Sequence, residues 1–194
     1  MPASSRRHRV LFATSNRGKL EEARKILSGL GVAIEQFDGK GTEIQADTTA
    51  EVAAYASRGA SKAARQAVLV EDAGLFVSSL GGFPGVYSAY ALKTIGPSGV
   101  IRLLPKGAGR EARFVSSVAY CEPGGEPTLF EGTVEGTIAR SPKGDAGFGF
   151  DPIFIPLDAK RTFGELSIEE KCRVSHRAKA MEKFAQWFLA RDPA

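Results

Sequence analysis

The chain has 194 residues, 43% apolar and 25% charged, a balance that supports a folded core and argues against disorder. Its two cysteines, Cys121 and Cys172, stand in contexts without CxxC or Cys/His spacing, which excludes a disulfide framework and a structural zinc site. No run reaches the roughly 18 apolar residues of a membrane helix, so a cytoplasmic protein without a membrane partner is expected, and 26 basic against 22 acidic side chains suit an anionic small molecule as readily as nucleic acid.

Residues 1–8 read as a polar, mobile tail, followed by a single domain over residues 9–194. Val10–Ala13 is a short apolar run. The polar Thr14-Ser15-Asn16 follows, and then Leu20, Ala23, Ile26, Leu27 and Leu30 recur at three- and four-residue steps before Gly31. This is strand, turn and helix with a glycine stop. Val32–Phe37 alternates as a second strand. Thr48 and Thr49 offer caps for a helix to about Ala67, with Val52, Ala53, Ala56, Ala60 and Ala63 on one side. Val68–Val70 reads as a buried strand ending on Glu71-Asp72, and Leu80–Gly85 as a rigid, turn-rich loop. Pro97 opens a short helix through Leu104. Arg113–Tyr120 and Leu129–Ile138, separated by Glu122–Pro127, predict a long hairpin. Gly147–Pro156 is a glycine-aromatic loop that contains the strand Ile153–Ile155. A last helix from about Ser175 places Met181, Phe184, Ala185, Phe188 and Leu189 on one face. Helices alternating with strands, together with a hairpin, predict an α/β fold with a mixed sheet.

Four segments carry groups suited to chemistry, and each alone has an ordinary alternative. Thr14-Ser15-Asn16-Arg17-Gly18-Lys19, between strand and helix, is either an anion site of free N–H groups, hydroxyls and a lysine, or a helix cap with a solvated lysine. It is not a Walker A loop, which would need Gly at position 13 and Ser or Thr at position 20. Asp72 or Glu71, on opposite sides of their strand, is either a ligand for a hard cation such as magnesium or a turn acid. Glu43 and Asp47 are candidate second ligands. Phe148 and Phe150, flanked by Gly147 and Gly149, either hold a flat ring or belong to the core. Lys171 and Ser175-His176-Arg177 either bind phosphate and a carbonyl, or Ser175 caps the last helix and leaves His176 and Arg177 in an exposed first turn.

Together and in this order, the four segments resemble the inosine triphosphatase family, pyrophosphatases of noncanonical purine nucleoside triphosphates. The family's opening T-G-N-x-x-K is similar to Thr14–Lys19. Its acidic strand end and Gly-Gly-x-Pro-Gly loop are similar to Val70–Leu75 and Leu80–Ser88. Its G-F-G-aromatic-D-P-x-F element is similar to Gly147–Phe154, and its E-K-x-x-x-S-H-R element to Glu170–Arg177. The resemblance runs from about Val10 to Leu189. It implies an elongated, twisted mixed sheet flanked by helices, in two lobes with a central substrate cleft, and usually a homodimer, with Gly82–Ser88 and the following helix as candidates for its surface. It also implies hydrolysis of ITP, dITP or XTP to the monophosphate and pyrophosphate with magnesium.

By the same resemblance, Asp72 is the general base and a metal ligand, and Glu43 is the second metal carboxylate. Thr14, Ser15, Asn16, Arg17, Gly18, Lys19 and Lys171 hold the triphosphate. Phe148, Gly149, Phe150 and Asp151 form the base end, and His176 and Arg177 read the 6-keto edge. Two departures stand out. Ser15 replaces the usual Gly, and Ala73, on the substrate side, replaces the usual Ser, with loss of one hydrogen bond. Arg58 and Lys62 are further candidates for phosphate. Within enzymes the alternative is a pyrophosphatase of other modified nucleotides, like the septum-formation inhibitor family, against which the Phe-Gly-Phe and Ser-His-Arg elements argue. A nucleic-acid-binding module would need a basic stripe with interleaved aromatics, and the basic residues here are dispersed.

Overall fold

The structure, a computed structural model, describes residues 8–39, 44–157 and 159–191. The expected tail therefore lies outside the described residues except at His8, which opens β1 (His8–Ala13). Asn16 caps α1 (Arg17–Gly29) by accepting a hydrogen bond from Lys19 N at 3.0 Å, and the helix buries Leu20, Ala23, Ile26 and Leu27 as their spacing requires. β2 (Val32–Phe37) returns parallel to β1.

α2 (Thr49–Ala64) starts on a reciprocal cap between Thr48 and Glu51 and stops at Arg65, whose φ of 56° is left-handed. This is short of the expected Ala67. Its buried face also departs from expectation: Ser57 and Ser61 are buried while Ala63 is exposed. The serines tolerate burial because their hydroxyls donate to the carbonyls of Ala54 at 2.8 Å and Arg58 at 3.1 Å.

β3 (Val68–Val77) does not end at Glu71-Asp72. It continues because β5 (Glu111–Cys121) pairs with it antiparallel from Val68↔Cys121 to Val77↔Ala112. What ends near Glu71 is its parallel neighbour: β1 pairs with β3 only as far as Ala13↔Val70. The short β4 (Pro84–Gly85) takes up that edge again at Leu75 and Phe76. Among the described residues, no strand pairs with this edge of residues 71–74, and the site forms at the gap.

α3 (Ser88–Thr94) and α4 (Gly96–Leu103) follow β4. β5 and β6 (Thr128–Ile138) form the expected hairpin, and β7 (Phe154–Pro156) joins the outer edge of β6. α5 (Ile168–Val174) and α6 (His176–Arg191) complete the chain. The seven strands form one mixed sheet in the order β2-β1-β3-β5-β6-β7, with β4 beside β3.

Strand alternation sorts the two faces. Val68 and Val70 pack with Ala60 of α2. Leu69, between them, packs on the other face with Phe12, Leu27 of α1 and Phe184 of α6. A second core, built on Leu75, Phe114, Phe154 and Phe163, lies toward the other end of β3 and β5. Glycine at 132 is required where α6 crosses β6. A Cβ there would stand 2.6 Å from Ala180 N and closer still to His176 O. Its absence lets the first turn of α6 lie directly on the sheet.

Candidate active site

The gap beside β3 opens into a cavity of about 140 Å³ between the two cores. Asn16 and Lys19 line one side, Asp72 and Ala73 the strand, Phe148 to Asp151 the loop, and Lys171, His176 and Arg177 the far wall. Of the expected residues, Thr14, Ser15, Arg17 and Gly18 do not reach the lining. Ser15 and Arg17 are exposed, and Thr14 Oγ1 accepts a bond from Asn16 N at 3.1 Å. Glu43 lies outside the described residues. Asp47 and Arg58 lie in a separate, shallower hollow beside α2 with Gln45, Glu51, Tyr55 and Tyr87. Arg58 is ion-paired there with Glu126 at 2.6 Å.

His176 and Arg177 are not in an exposed turn. Ser175 does cap α6, accepting from Ala178 N at 3.1 Å, yet His176 is only 3% and Arg177 only 1% exposed, because Gly132 lets that turn descend onto the sheet. His176 stacks on Phe114 with ring centroids 4.5 Å apart and planes 6° apart. Its Nδ1 is buried without a hydrogen-bond partner. Burial first, then the neighbouring Arg177 and Lys171, hold its pKa well below the ordinary imidazole value, so it is neutral near pH 7.

A buried network of charges underlies the cavity. Lys171 Nζ lies 2.7 Å from Glu22 Oε1 and 2.5 Å from Asp151 Oδ2. Arg177 Nη1 donates to Glu22 Oε2 and Nη2 to Glu71 Oε2 at 3.3 Å. Its Nε stands 3.0 Å from Glu71 Oε1, but too far off line for a hydrogen bond. Lys19 Nζ donates to the Glu71 carbonyl at 3.0 Å and lies 3.3 Å from its carboxylate. Three acids, Glu22, Glu71 and Asp151, thus face three cations, Lys19, Lys171 and Arg177, and the network is balanced. Burial alone would raise the Glu71 carboxyl, but Arg177 and Lys19 hold it well below the usual carboxylate range. Burial raises Asp151 despite Lys171 beside it.

Phe148 and Phe150 have separate fates. Phe150 is 3% exposed and belongs to the second core. The Phe148 ring lies 4.8 Å from Lys171 Nζ and 5.3 Å from the Arg177 guanidinium carbon, both within cation–π range. Its underside rests on Gly18, where a Cβ would stand 2.7 Å from Cε1, 2.9 Å from Cγ and closer still to Cδ1. Phe148 is the half-buried aromatic wall.

Two members of the network went unread in the sequence. Glu22 is 2% exposed, and its trace is faint: it stands one turn from Ile26 and from Lys19 on the same helix face. Ser116, which donates to Glu71 Oε1 at 2.7 Å, left no trace at all, because only the β3–β5 register, with Ala73↔Ser116, brings it there.

Among the described residues, no three or more His, Cys, Asp or Glu side chains cluster to hold a metal ion. Two carboxylates line the cavity, Asp72 and Asp151. Asp151 Oδ2 is engaged by Phe148 N and Lys171, and the hard oxygens of Asp72 suit magnesium, which characteristically uses one or two carboxylates and takes its remaining oxygens from water and substrate phosphates. No helix among the described residues is long and apolar enough to cross a membrane.

The model of the Ham1 family matches residues 10–187. The dITP/XTP pyrophosphatase of Methanopyrus kandleri is 51% identical over 180 residues, covering 93% of this chain and 96% of the relative. That of Thermococcus kodakarensis is 50% identical over 179 residues, covering 92% and 96%. Among solved structures, a HAM1 protein from Coxiella burnetii aligns with a TM-score of 0.84 at 30% identity, over 94% of this chain and 99% of that one. The Staphylococcus aureus Ham1 protein aligns at 0.82 and 31%, over 95% and 100%.

Proposed function

The chain belongs to the Ham1 family, and we infer that it is a hydrolase that converts the noncanonical purine nucleotides ITP, dITP and XTP to monophosphate and pyrophosphate. One observation supports the reading above the others. A single cavity joins a lysine at a helix start, a carboxylate on a strand and an aromatic wall backed by buried cations.

In this reading Asn16 and Lys19 receive the triphosphate at the N-terminus of α1, where the helix dipole and the ammonium favour negative charge. Asp72 orients the attacking water and takes its proton as the water oxygen bonds to phosphorus, while the bridging oxygen leaves with pyrophosphate. Magnesium, when bound by Asp72 and Glu43, neutralises charge that builds on the phosphate oxygens. Phe148 stacks on the purine. Arg177 makes two hydrogen bonds to carboxylates and keeps further N–H groups on its terminal nitrogens for a 6-keto oxygen. Adenine presents an amino donor at that edge, so buried donors would be left unpaired at about 1–3 kcal/mol each. We read the two cores as two lobes about this cleft, and the active protein as a cytoplasmic homodimer. Phe83, Tyr87 and Tyr90, which fall in the segment expected to meet a second copy, are exposed large hydrophobic side chains.

The test is steady-state pyrophosphate release from ITP, XTP, GTP and ATP with magnesium. ITP and XTP should be strongly preferred to ATP, and Asp72→Asn should lower kcat by about 10²–10⁴-fold. Equal rates on ATP and ITP would overturn the reading of the base edge.

A further inference from the structure

Lys19 begins one helix and Arg177 begins another, and both close on one carboxylate. Glu71 is buried, with a side-chain exposure of 0%. Its Oε1 accepts from Ser116 Oγ at 2.7 Å and faces Arg177 Nε at 3.0 Å. Its Oε2 accepts from Arg177 Nη2 at 3.3 Å and lies 3.3 Å from Lys19 Nζ. Ser116 and Arg177 Nη2 each donate to this carboxylate, and the charges of Arg177 Nε and Lys19 Nζ stand against it. Glu71 is thus engaged by the protein's own cations.

The Glu71 backbone is tied as firmly as its side chain. β5 pairs with β3 through this position, at Glu71↔Val118. Its carbonyl, beyond the last rung with β1, accepts from Lys19 Nζ at 3.0 Å. Lys19 thus donates one N–H to the Glu71 carbonyl and holds its charge 3.3 Å from the carboxylate. The side chain of Lys19 remains partly open, at 17% exposure, while that of Arg177 is closed at 2%.

We propose that Glu71 is a positioning residue that fixes the separation of Lys19 and Arg177, and so matches the phosphate end and the base end of the cavity to one nucleotide. This rests on the pyrophosphatase reading above, in which those two cations serve opposite ends of the substrate. A ligand that spans both ends feels the spacing. A ligand that touches one end does not.

Glu71→Gln keeps the shape and an acceptor for Ser116 but removes the charge that draws the two cations together. The variant should raise KM for ITP by about tenfold or more, as loss of a charge-assisted contact implies, with kcat changed less than about threefold. The inhibition constants of inorganic tripolyphosphate, which meets only the phosphate end, and of inosine, which meets only the base end, should each move by less than about threefold. An unchanged KM for ITP overturns the proposal. So does a tripolyphosphate shift as large as that for ITP, which would mean that Glu71 acts through Lys19 alone. A merely structural role would lower Tm and leave this split unmoved.

Should Glu71→Gln fail to fold, Ser116→Ala carries the test, since it removes one bond to the same carboxylate. It should raise KM for ITP by about two- to fourfold with both inhibition constants unchanged, and equal shifts in all three overturn the proposal. Wild-type protein that releases no pyrophosphate from ITP would overturn the underlying activity instead, a result distinct from a normal wild type with an unperturbed variant.

Discussion

Gly18→Ala separates what stabilises the fold from what serves the site. Position 18 lies in the first turn of α1, and alanine in a helix is favoured over glycine by up to about 1 kcal/mol. At the same time the new methyl would sit 2.7 Å from Phe148 Cε1 and 2.9 Å from Cγ. An ordinary carbon contact is 3.5–4.0 Å, so the ring has to withdraw by about 1 Å or more. Withdrawal weakens its stacking over Lys171 and Arg177, each contact worth about 0.5–2 kcal/mol. The two effects offset in the fold, so Tm should stay within about 4 °C of wild type. The site has no such compensation. With the aromatic wall displaced, KM for ITP should rise about five- to thirtyfold, corresponding to about 1–2 kcal/mol of lost stacking on the purine. Thermal unfolding and steady-state kinetics on the same preparation decide it. A KM equal to wild type, at any Tm, would refute the argument that Gly18 is the seat of Phe148.

Two further perturbations probe the buried charges. Glu22→Gln leaves Lys19, Lys171 and Arg177 facing only Glu71 and Asp151, and breaking such a pair costs about 3–5 kcal/mol, or roughly 6–20 °C in Tm for a domain of this size; a fall of less than about 2 °C would contradict the role of Glu22. His176 is held neutral when folded but takes up a proton near pH 6.5 when unfolded, so below that pH the unfolded state binds more protons and stability falls by about 1.4 kcal/mol per pH unit. Asp151, raised by burial, acts in the opposite sense, so the quantity to measure is the difference between wild type and His176→Phe in urea unfolding. Between pH 7 and 5.5 the variant should lose about 1 kcal/mol less than wild type, and parallel profiles would refute the assignment.

Much of the fold was legible in the residues because hydrophobic periodicity carries it. The α1 stripe, the β5–β6 hairpin and the α6 face all follow from spacing alone. The length of β3 was not legible. Acidic residues inside a strand look like its end, and what continues β3 is a partner 35 to 45 positions away in β5. The same logic divides the site. Lys19, Asp72, Lys171, His176 and Arg177 lie in recognisable motifs, and the structure gathers them around one cavity. Nothing local distinguishes a buried Phe150 from a half-buried Phe148, since both flank Gly149 and only the tertiary packing separates them. Glu22 was hidden because a glutamate on a helix is ordinarily solvated, and its burial depends on two cations supplied by the last quarter of the chain.

The alternation along β3 sets a limit on how this protein can change. Glu71 and Asp72 are consecutive, so they leave the strand on opposite sides, and Glu71 is held on its side by Ser116 and Arg177. Inserting or deleting one residue upstream within β3 would exchange the two carboxylates, turning Asp72 toward the buried cations and Glu71 away from them. The exposed bend at residues 122–126 has no such bookkeeping and can lengthen freely. Drift and engineering alike are free to edit that bend, but must leave the length of β3 untouched.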